Sequence, residues 1–183
     1  MGGSDQELLA RYRQGDLGAL ETLVEQYRRP LFAFILNLLD RREEADDIFQ
    51  EVWLRAIKAM DRYRDDRFLS WLFRIARNLI IDRRRSRRPL VSLEADNAEG
   101  VALEDVLPDG IPNAANVAAN RDLARLVKAA VAGLPLAQRE VFLMRTEGEL
   151  PFKEIARIQQ VSINTALARM QYALEKLRAL LPA

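Results

Sequence analysis

Hydrophobic residues recur at helical spacing along almost the whole 183-residue chain. Two short helices are predicted over 5–14 and 16–27, with Asp16 as the N-cap of the second. Further helices are predicted over 29–39, 44–60, 68–87, 117–132, 136–146, 151–158 and 162–181. No run of β-branched residues alternates with period two, so no strand is predicted. The pattern indicates an all-α fold.

The helical periodicity is interrupted once, over residues 89–116. This segment, PLVSLEADNAEGVALEDVLPDGIPNAAN, holds three prolines and two glycines and has no sustained period. An irregular stretch of that length usually has a function or is disordered. We therefore predict two small helical domains, over 5–88 and 117–183, joined by a flexible acidic linker over 89–116.

Composition narrows the possible chemistry. The chain has no cysteine and no histidine, which removes disulfides, thiolate metal sites and the commonest general base. The start lacks the order of a signal peptide, and no apolar run approaches the roughly 18 residues of a membrane span. We expect a cytoplasmic protein that is not an enzyme, with no metal, no cofactor, no small-molecule substrate and no membrane-inserted segment.

The net charge of +1 conceals an uneven distribution. Residues 1–88 carry 18 basic and 15 acidic side chains, and residues 113–183 carry ten and six. Residues 89–112 carry six acidic side chains and no basic one. Two mildly basic blocks therefore flank an acidic strip, which a surface of evenly mixed charge would not give.

The predicted helix over 44–60 has two distinct faces. Its apolar side comprises Ala45, Ile48, Phe49, Val52, Trp53, Ala56 and Ile57. Its opposite side carries Asp47, Gln50, Glu51, Leu54 and Lys58. Two interpretations are open: an ordinary solvated face with one stray leucine, or a partner site with Leu54 as its apolar anchor.

The predicted helix over 68–87 is rich in arginine. Its core line is Leu69, Leu72, Phe73, Ala76, Leu79 and Ile80, and Arg74, Arg77 and Asn78 point elsewhere. Five more arginines crowd its end, at 83, 84, 85, 87 and 88. Cations favour a helix C-terminus, but five together repel one another unless phosphates neutralise them. With Tyr63, Arg67 and Trp71 nearby, the cluster suits a single nucleic-acid strand.

The segment over 151–181 has the layout of a helix-turn-helix. Ile155, Ala156 and Ile158 would face the core, QQVS forms the turn, and Ser162 caps the second helix. We expect that helix to bury Ile163, Ala166, Met170, Leu174, Leu177 and Leu181. Its exposed N-terminal residues would be Asn164, Thr165, Ala168, Arg169 and Tyr172. Recognition helices present such residues to base edges, although a plain helical hairpin has the same pattern.

Three segments, in order, resemble the extracytoplasmic-function (ECF) sigma factors of bacterial RNA polymerase. EEADDIFQEVWLRA resembles their region 2.2, and YRDDRFLSWLFRIARNLIIDRRRSRR resembles regions 2.3 and 2.4. LPLAQREVFLMRTEGELPFKEIARIQQVSINTALARMQYALEKLR resembles region 4. The resemblance covers nearly the whole chain and implies a promoter-specificity subunit that directs core polymerase to promoters and assists their melting.

The resemblance also implies roles for residues. Core polymerase, through the β′ clamp helices, would bind Asp47, Gln50, Glu51 and Leu54. The minus-ten element would contact Arg67, Trp71, Arg74, Arg77, Asn78, Arg84, Arg85 and Arg88. The minus-thirty-five element would contact Ser162, Asn164, Thr165, Ala168, Arg169 and Tyr172. The resemblance further implies that region 4 touches the β flap and that an anti-sigma factor regulates the protein.

The linker and three departures from the family pattern qualify this expectation. In the family the linker threads the polymerase cleft, where the six carboxylates of this linker would mimic nucleic acid. Composition alone instead favours a disordered tether that makes no specific contact.

The first departure is Gln160, which stands where family turns commonly have glycine, at a cost of about 1 kcal/mol if its backbone is left-handed. Leu167 and Tyr172 stand where recognition helices are often basic. No extra C-terminal domain and no histidine or cysteine sensor is recognisable, so regulation is expected from outside.

Two rival functions are compatible with parts of the pattern. A two-domain helical DNA-binding regulator that acts without polymerase would leave the outer face over 47–58 and the acidic linker unexplained. A helical adaptor protein without a nucleic-acid role would leave the arginine cluster unexplained. Co-purification with core polymerase separates the first rival from a sigma factor, and salt-dependent promoter binding separates the second.

Overall fold

The computed structural model describes residues 4–39, 41–64, 67–87 and 114–180. Within these ranges there is no strand, which confirms the all-α prediction. Most of the predicted linker, together with Arg88 and Leu181, lies outside the described residues. The helices are α1 Asp5–Arg13, α2 Leu17–Leu38, α3 Arg42–Ala59, α4 Phe68–Arg87, α5 Ala114–Ala132, α6 Leu136–Thr146, α7 Phe152–Gln159 and α8 Ile163–Leu180, with a 3₁₀ turn at Met60–Arg62 after α3.

Local signals fix where the first helices begin. Ser4 and Glu7 form a reciprocal capping box at α1, which satisfies two backbone N–H groups. Asp16 accepts a hydrogen bond from the Gly18 N–H and caps α2, as predicted. A hydrogen bond from Arg11 lowers the pKa of Asp16 below its ordinary value. Gly15 separates the two helices with φ of 94°, a conformation that glycine adopts without strain.

The second helix is longer than the sequence predicted. Two helices, over 16–27 and 29–39, were expected, but α2 runs unbroken from Leu17 to Leu38 with Pro30 inside it. The predicted break was therefore wrong. Proline removes one backbone hydrogen bond, yet Leu23, Leu31 and Phe34 along the same face are fully buried. Packing of that face stabilises the helix more than the lost bond costs.

The N-terminal half, α1–α4, surrounds a core of large apolar side chains. Phe34 and Phe73 meet edge to face with ring centroids 4.6 Å apart. The predicted inner face of α3 is confirmed, because Ala45, Ile48, Val52, Trp53 and Ala56 are buried and Phe49 and Ile57 are partly buried. This packing turns the polar face of α3 outward.

The C-terminal half, α5–α8, packs α6 and α7 against α8. Ile155, Ala156 and Ile158 are buried, as predicted. The expected buried line of α8 was partly wrong: Ala166, Ala173 and Leu177 are buried and Met170 half-buried, but Ile163 is 46% exposed and Leu174 37%. The buried stripe is narrow because two of its members are alanines, which let neighbouring helices approach closely and leave the larger flanking side chains outside.

The turn between α7 and α8 holds the residue that departs from the family pattern. Gln160 has φ of 56° and ψ of 45°, the left-handed conformation that glycine adopts most easily. Ser162 accepts a hydrogen bond from the Thr165 N–H at 3.1 Å and caps α8, as predicted. The turn geometry of the predicted helix-turn-helix is therefore present despite the glutamine.

The two halves pack against each other. Helix α2 contacts α5 and α6, helix α4 contacts α7, and the buried residues of both halves form one continuous cluster. One tight contact is at Gly148, between α6 and α7, where an added Cβ would lie 2.4 Å from Cε2 of Phe73. The N-terminal half therefore meets the C-terminal half through a tightly fitted surface that includes α4.

Candidate functional site

The outer face of α3 is open to solvent. Asp47 and Gln50 are exposed, Glu51 is half-exposed, and Leu54 is 52% exposed. Arg55 pairs with Glu51 at 2.7 Å, and Arg83 of α4 pairs with Asp47 at 3.1 Å. The face therefore continues from α3 onto the end of α4, and an apolar side chain stands among charged ones. Its role as a docking site stays a prediction.

The arginines at the end of α4 have different surroundings. Arg84 donates a hydrogen bond to the carbonyl oxygen of Leu38 at 2.9 Å and so satisfies the C-terminus of α2. Arg83 pairs with Asp47, whereas the side chain of Arg85 is exposed. Arg88 lies outside the described residues. Arg84 therefore has a packing role that the sequence pattern did not predict.

The aromatic residues beside α4 are only partly available for stacking on bases. Tyr63 is buried and its ring stacks on Trp71, with centroids 4.6 Å apart. Phe68 closes the same cluster from the core side. Trp71 is half-buried and keeps some exposed surface. Of the two aromatic rings that the sequence suggested for base stacking, Trp71 is the accessible one.

In the middle of α4 some polar side chains are exposed to solvent, whereas another is bonded to the C-terminal half. Arg74 and Asn78 are exposed. Arg77 is 19% exposed, and its Nε donates to Oε2 of Glu140 in α6 at 2.8 Å. Its Nη1 also donates to the carbonyl oxygen of Ile158 at 3.5 Å. A residue predicted to contact DNA is thus held by the other half of the molecule.

The predicted recognition helix likewise carries both exposed side chains and one that is hydrogen-bonded within the molecule. Asn164, Thr165 and Tyr172 are exposed, and Ala168 is half-buried. Arg169 donates to Oε1 of Gln159 at 2.7 Å. Gln159 in turn donates to Oε2 of Glu140 at 2.7 Å.

These contacts join both predicted DNA-binding surfaces. We call Arg77, Glu140, Gln159 and Arg169 the interdomain network. It connects one predicted minus-ten residue to one predicted minus-thirty-five residue through two buried side chains. Arg67, another predicted minus-ten residue, faces Glu154 of α7 at 3.7 Å.

The sequence reasoning missed Glu140, Glu154 and Gln159, all of which are buried. One signal was available for Glu140, because it lies four residues after Leu136 and four before Met144 on the apolar side of α6. A carboxylate at a core position requires a partner, since an unpaired buried charge is costly. The identity of that partner, 63 positions away, was not readable from the pattern.

A second apolar surface lies on the C-terminal half. Phe152 of α7 and Leu167, Met170 and Leu174 of α8 line an open groove, with Arg178 at one end. Leu167 is 44% exposed and Leu174 37%. Neighbouring exposed leucines on a small helical unit are typical of a protein-binding surface. Leu167, a residue unusual for a recognition helix, lies in this groove.

The described residues contain no group of three or more carboxylate, histidine or cysteine side chains that could hold a metal ion. None of the helices in this part of the chain is both long and apolar enough to cross a membrane.

Comparison with known proteins identifies both halves. The family model for sigma-70 region 2 matches residues 23–89, and that for sigma-70 region 4 matches residues 124–177. The ECF RNA polymerase sigma factor SigW of Bacillus subtilis is 31% identical over 175 residues, which cover 93% of this chain and 92% of SigW. The ECF RNA polymerase sigma-E factor of Escherichia coli K12 is 30% identical over 182 residues, covering 94% and 91%.

A solved structure shares the fold. CnrH in complex with the cytosolic domain of CnrY has a TM-score of 0.68 and 26% identity, and the match covers 97% of both chains. The region models together account for more than half of the sequence, and the two sigma factors align over more than nine tenths of it. The chain therefore belongs to the extracytoplasmic-function sigma factors of RNA polymerase.

Proposed function

We propose that the two halves of this sigma factor divide promoter recognition between them. The exposed side of α4, with Arg74, Asn78 and Arg85, would contact the minus-ten strand. The N-terminal end of α8, with Asn164 and Thr165, would enter the major groove at the minus-thirty-five element. The observation that carries this proposal is that exposed polar side chains without a role in the core stand on these two helices.

We propose two contacts with core polymerase. The outer face of α3 would bind the β′ clamp helices, with Leu54 buried in the contact and Asp47, Gln50 and Glu51 around it. The groove lined by Phe152, Leu167, Met170 and Leu174 would hold an apolar segment of the β flap. Support comes from the partial exposure of Leu54, Leu167 and Leu174, since burial of apolar surface is the main favourable term in most protein association.

We further propose that polymerase performs all the chemistry and that this chain acts with it in the cytoplasm, without a cofactor or small-molecule substrate. Control by an anti-sigma protein is proposed by analogy with the solved sigma factor RpoE of Bartonella quintana, which is in complex with the anti-sigma factor NepR. That chain is 22% identical, so the likeness is one of fold.

The test compares Asn78→Ala with Asn164→Ala in reconstituted holoenzyme. Both substitutions remove one exposed amide of the same type, so each is the matched control of the other. Loss of one base contact costs about 1–3 kcal/mol, or roughly 5- to 150-fold in affinity. Binding to duplex promoter is measured by electrophoretic shift, and strand opening by permanganate reactivity of unpaired thymines.

Asn78→Ala should reduce permanganate reactivity while binding to the duplex minus-thirty-five element survives. Asn164→Ala should weaken duplex binding while a template already melted around the start site is transcribed at near-normal rate. Equal failure of both variants on the melted template would contradict the proposed division between the two halves.

A further inference from the structure

Helix α1 precedes the residues 23–89 that the sigma-70 region 2 model matches, so the match gives this helix no role. Two buried leucines, Leu8 and Leu9, attach it to the core. A helix of nine residues is marginal by itself in water, so its position depends on tertiary contacts. Both of its ends also make polar contacts, and these lead to one aromatic cluster beside α4.

The C-terminal end of α1 holds the turn that precedes α4. Arg13, the last residue of the helix, donates from Nη2 to the carbonyl oxygen of Tyr63 at 2.7 Å and to that of Met60 at 3.3 Å. Arg64 donates to the Tyr63 carbonyl as well, at 2.8 Å. Hydrogen bonds from a charged donor are stronger than those between neutral groups. Two guanidinium groups therefore fix the backbone of Tyr63, one of them from 50 positions earlier in the chain.

The ring of Tyr63 carries this constraint to α4. Tyr63 is 6% exposed and meets Phe68 edge to face, with ring centroids 5.4 Å apart. It also stacks on Trp71, with centroids 4.6 Å apart. Trp71 is half-buried, so this stack leaves part of the indole open to solvent. The indole is thus positioned on one side by a ring whose backbone Arg13 holds.

The N-terminal end of α1 reaches the same cluster by another route. Tyr27 of α2 donates a hydrogen bond to Asp5, and its ring lies 5.6 Å from that of Phe68 between centroids. This hydrogen bond involves neither the Tyr63 carbonyl nor the indole of Trp71. The two ends of α1 can therefore be tested separately by substitution.

We propose that Arg13 is a positioning residue for promoter opening, because it holds Tyr63 so that Trp71 is placed to stack on an unpaired base of the minus-ten strand. The proposal rests on the function proposed above, in which α4 contacts that strand, and it adds a role for α1. Stacking of a base on an aromatic ring depends little on the sequence. Arg13 should therefore affect how firmly the opened strand is held and leave the choice of promoter unchanged.

The variants separate this role from charge and from stability. Arg13→Ala removes both hydrogen bonds, whereas Arg13→Lys keeps the charge and a donor but loses the planar fork. Arg11→Ala is the matched control, because Arg11 is an exposed arginine of the same helical turn that pairs with Asp16. It alters net charge equally. Tyr27→Phe is the stability control, because it loosens α1 at its other end.

The experiment uses holoenzyme assembled from each variant and purified core polymerase. The probe is a fluorescent single strand that carries the minus-ten segment of a promoter mapped by run-off transcription with wild-type holoenzyme. Anisotropy gives the affinity for this strand, and permanganate reactivity of thymines gives the opening of the duplex promoter. In the free chain, acrylamide quenching reports the exposure of Trp71, in a Trp53→Phe background because the chain has two tryptophans.

Arg13→Ala should weaken binding of the single strand about fivefold, the lower end of the loss expected for one base–aromatic stack. Permanganate reactivity should fall with it, and quenching of Trp71 should rise. Arg13→Lys should recover part of the affinity, and it carries the test by itself if circular dichroism shows that the alanine variant unfolds. Arg11→Ala and Tyr27→Phe should bind the strand as wild type does.

A double-mutant cycle decides whether Arg13 acts through the indole. Trp71→Ala should itself weaken strand binding, and Arg13→Ala should then weaken it no further, because both changes remove the same interaction. Full additivity of the two losses, or a loss in Tyr27→Phe as large as that in Arg13→Ala, would overturn the proposal. Wild-type strand binding by both Trp71→Ala and Asn78→Ala would instead overturn the proposed function, so the two failures are distinguishable.

Discussion

Leu54 offers a quantitative test of the proposed contact between α3 and core polymerase. The side chain is 52% exposed, so about half of its apolar surface remains to be buried by a partner. Complete burial of a leucine contributes about 1.5–3 kcal/mol, and half of it therefore about 1 kcal/mol. Leu54→Ala should weaken core binding about fivefold, because 1.4 kcal/mol corresponds to a factor of ten.

A charged substitution at the same position should have a larger effect. In Leu54→Glu the new carboxylate would have to be desolvated in the contact, so core binding should weaken by more than about tenfold. The free energy of unfolding should change by less than about 1 kcal/mol in either variant, because about half of the side chain is already in solvent. Neither substitution should therefore change the helical content.

The assay is titration of core polymerase into chain labelled at a cysteine introduced for Lys176, with fluorescence anisotropy as the readout. Leu17→Ala is the matched control, since Leu17 is 72% exposed at the start of α2 and lies outside the predicted site. Wild-type affinity of Leu54→Glu for core, with native helicity, would refute the assignment of this face. Equal weakening by Leu17→Ala would refute the argument from exposure.

Four further predictions concern individual side chains. Arg85→Ala should lower the salt dependence of promoter binding by holoenzyme by about one unit of slope without loss of stability, since Arg85 is exposed. Arg84→Ala should instead lower the free energy of unfolding by about 1–2 kcal/mol, because it removes the bond to the Leu38 carbonyl; equal stability of the two variants in denaturant would contradict this. Gln160→Gly should raise the free energy of unfolding by about 1 kcal/mol by relieving the left-handed conformation, and Gln160→Val should lower it; a glycine variant with a reduced melting temperature would exclude the strain. Burial is the main cause that raises the pKa of Tyr27 well above its ordinary value, and the hydrogen bond to Asp5 is the second. Tyr27 in the folded chain therefore stays protonated at a pH of about 10, at which a tyrosine in the unfolded chain ionises. Its contribution to stability is therefore complete below about pH 10 and is lost as pH rises further, and Tyr27→Phe should flatten that decline; identical alkaline slopes in urea titrations would rule it out.

Helix positions were largely predictable because their causes are local. The bounds of α4 and α6 match the predicted ranges, since the apolar period and the flanking residues lie within a few positions of each end. Asp16 and Ser162 cap their helices as predicted, because a cap requires only a side-chain oxygen and an N–H two or three residues later. The left-handed turn at Gln160 follows from the helix-turn-helix pattern in the same way.

Elements that depend on packing were less predictable. Separate helices were predicted over 16–27 and 29–39, but burial of Leu31 and Phe34 against the rest of the N-terminal half keeps α2 continuous. Ile163 and Leu174 fit a helical period and are nevertheless exposed, because the width of the buried stripe depends on how closely α6 and α7 approach α8. The hydrophobic period shows which face of a helix is apolar, and the packing of neighbouring helices determines how much of that face is buried.

By itself the sequence determined the all-α class, the helix caps, the exposed face of α3 and the candidate surfaces on α4 and α8. It also identified Arg77 and Arg169 as polar positions outside the apolar lines of their helices. That the two arginines join one network was decided by tertiary structure, because Glu140 lies 63 positions from Arg77 and Gln159 a further 19 along the chain. Helical periodicity is set within a few residues, whereas a contact between halves depends on the shape and charge of two folded surfaces at once.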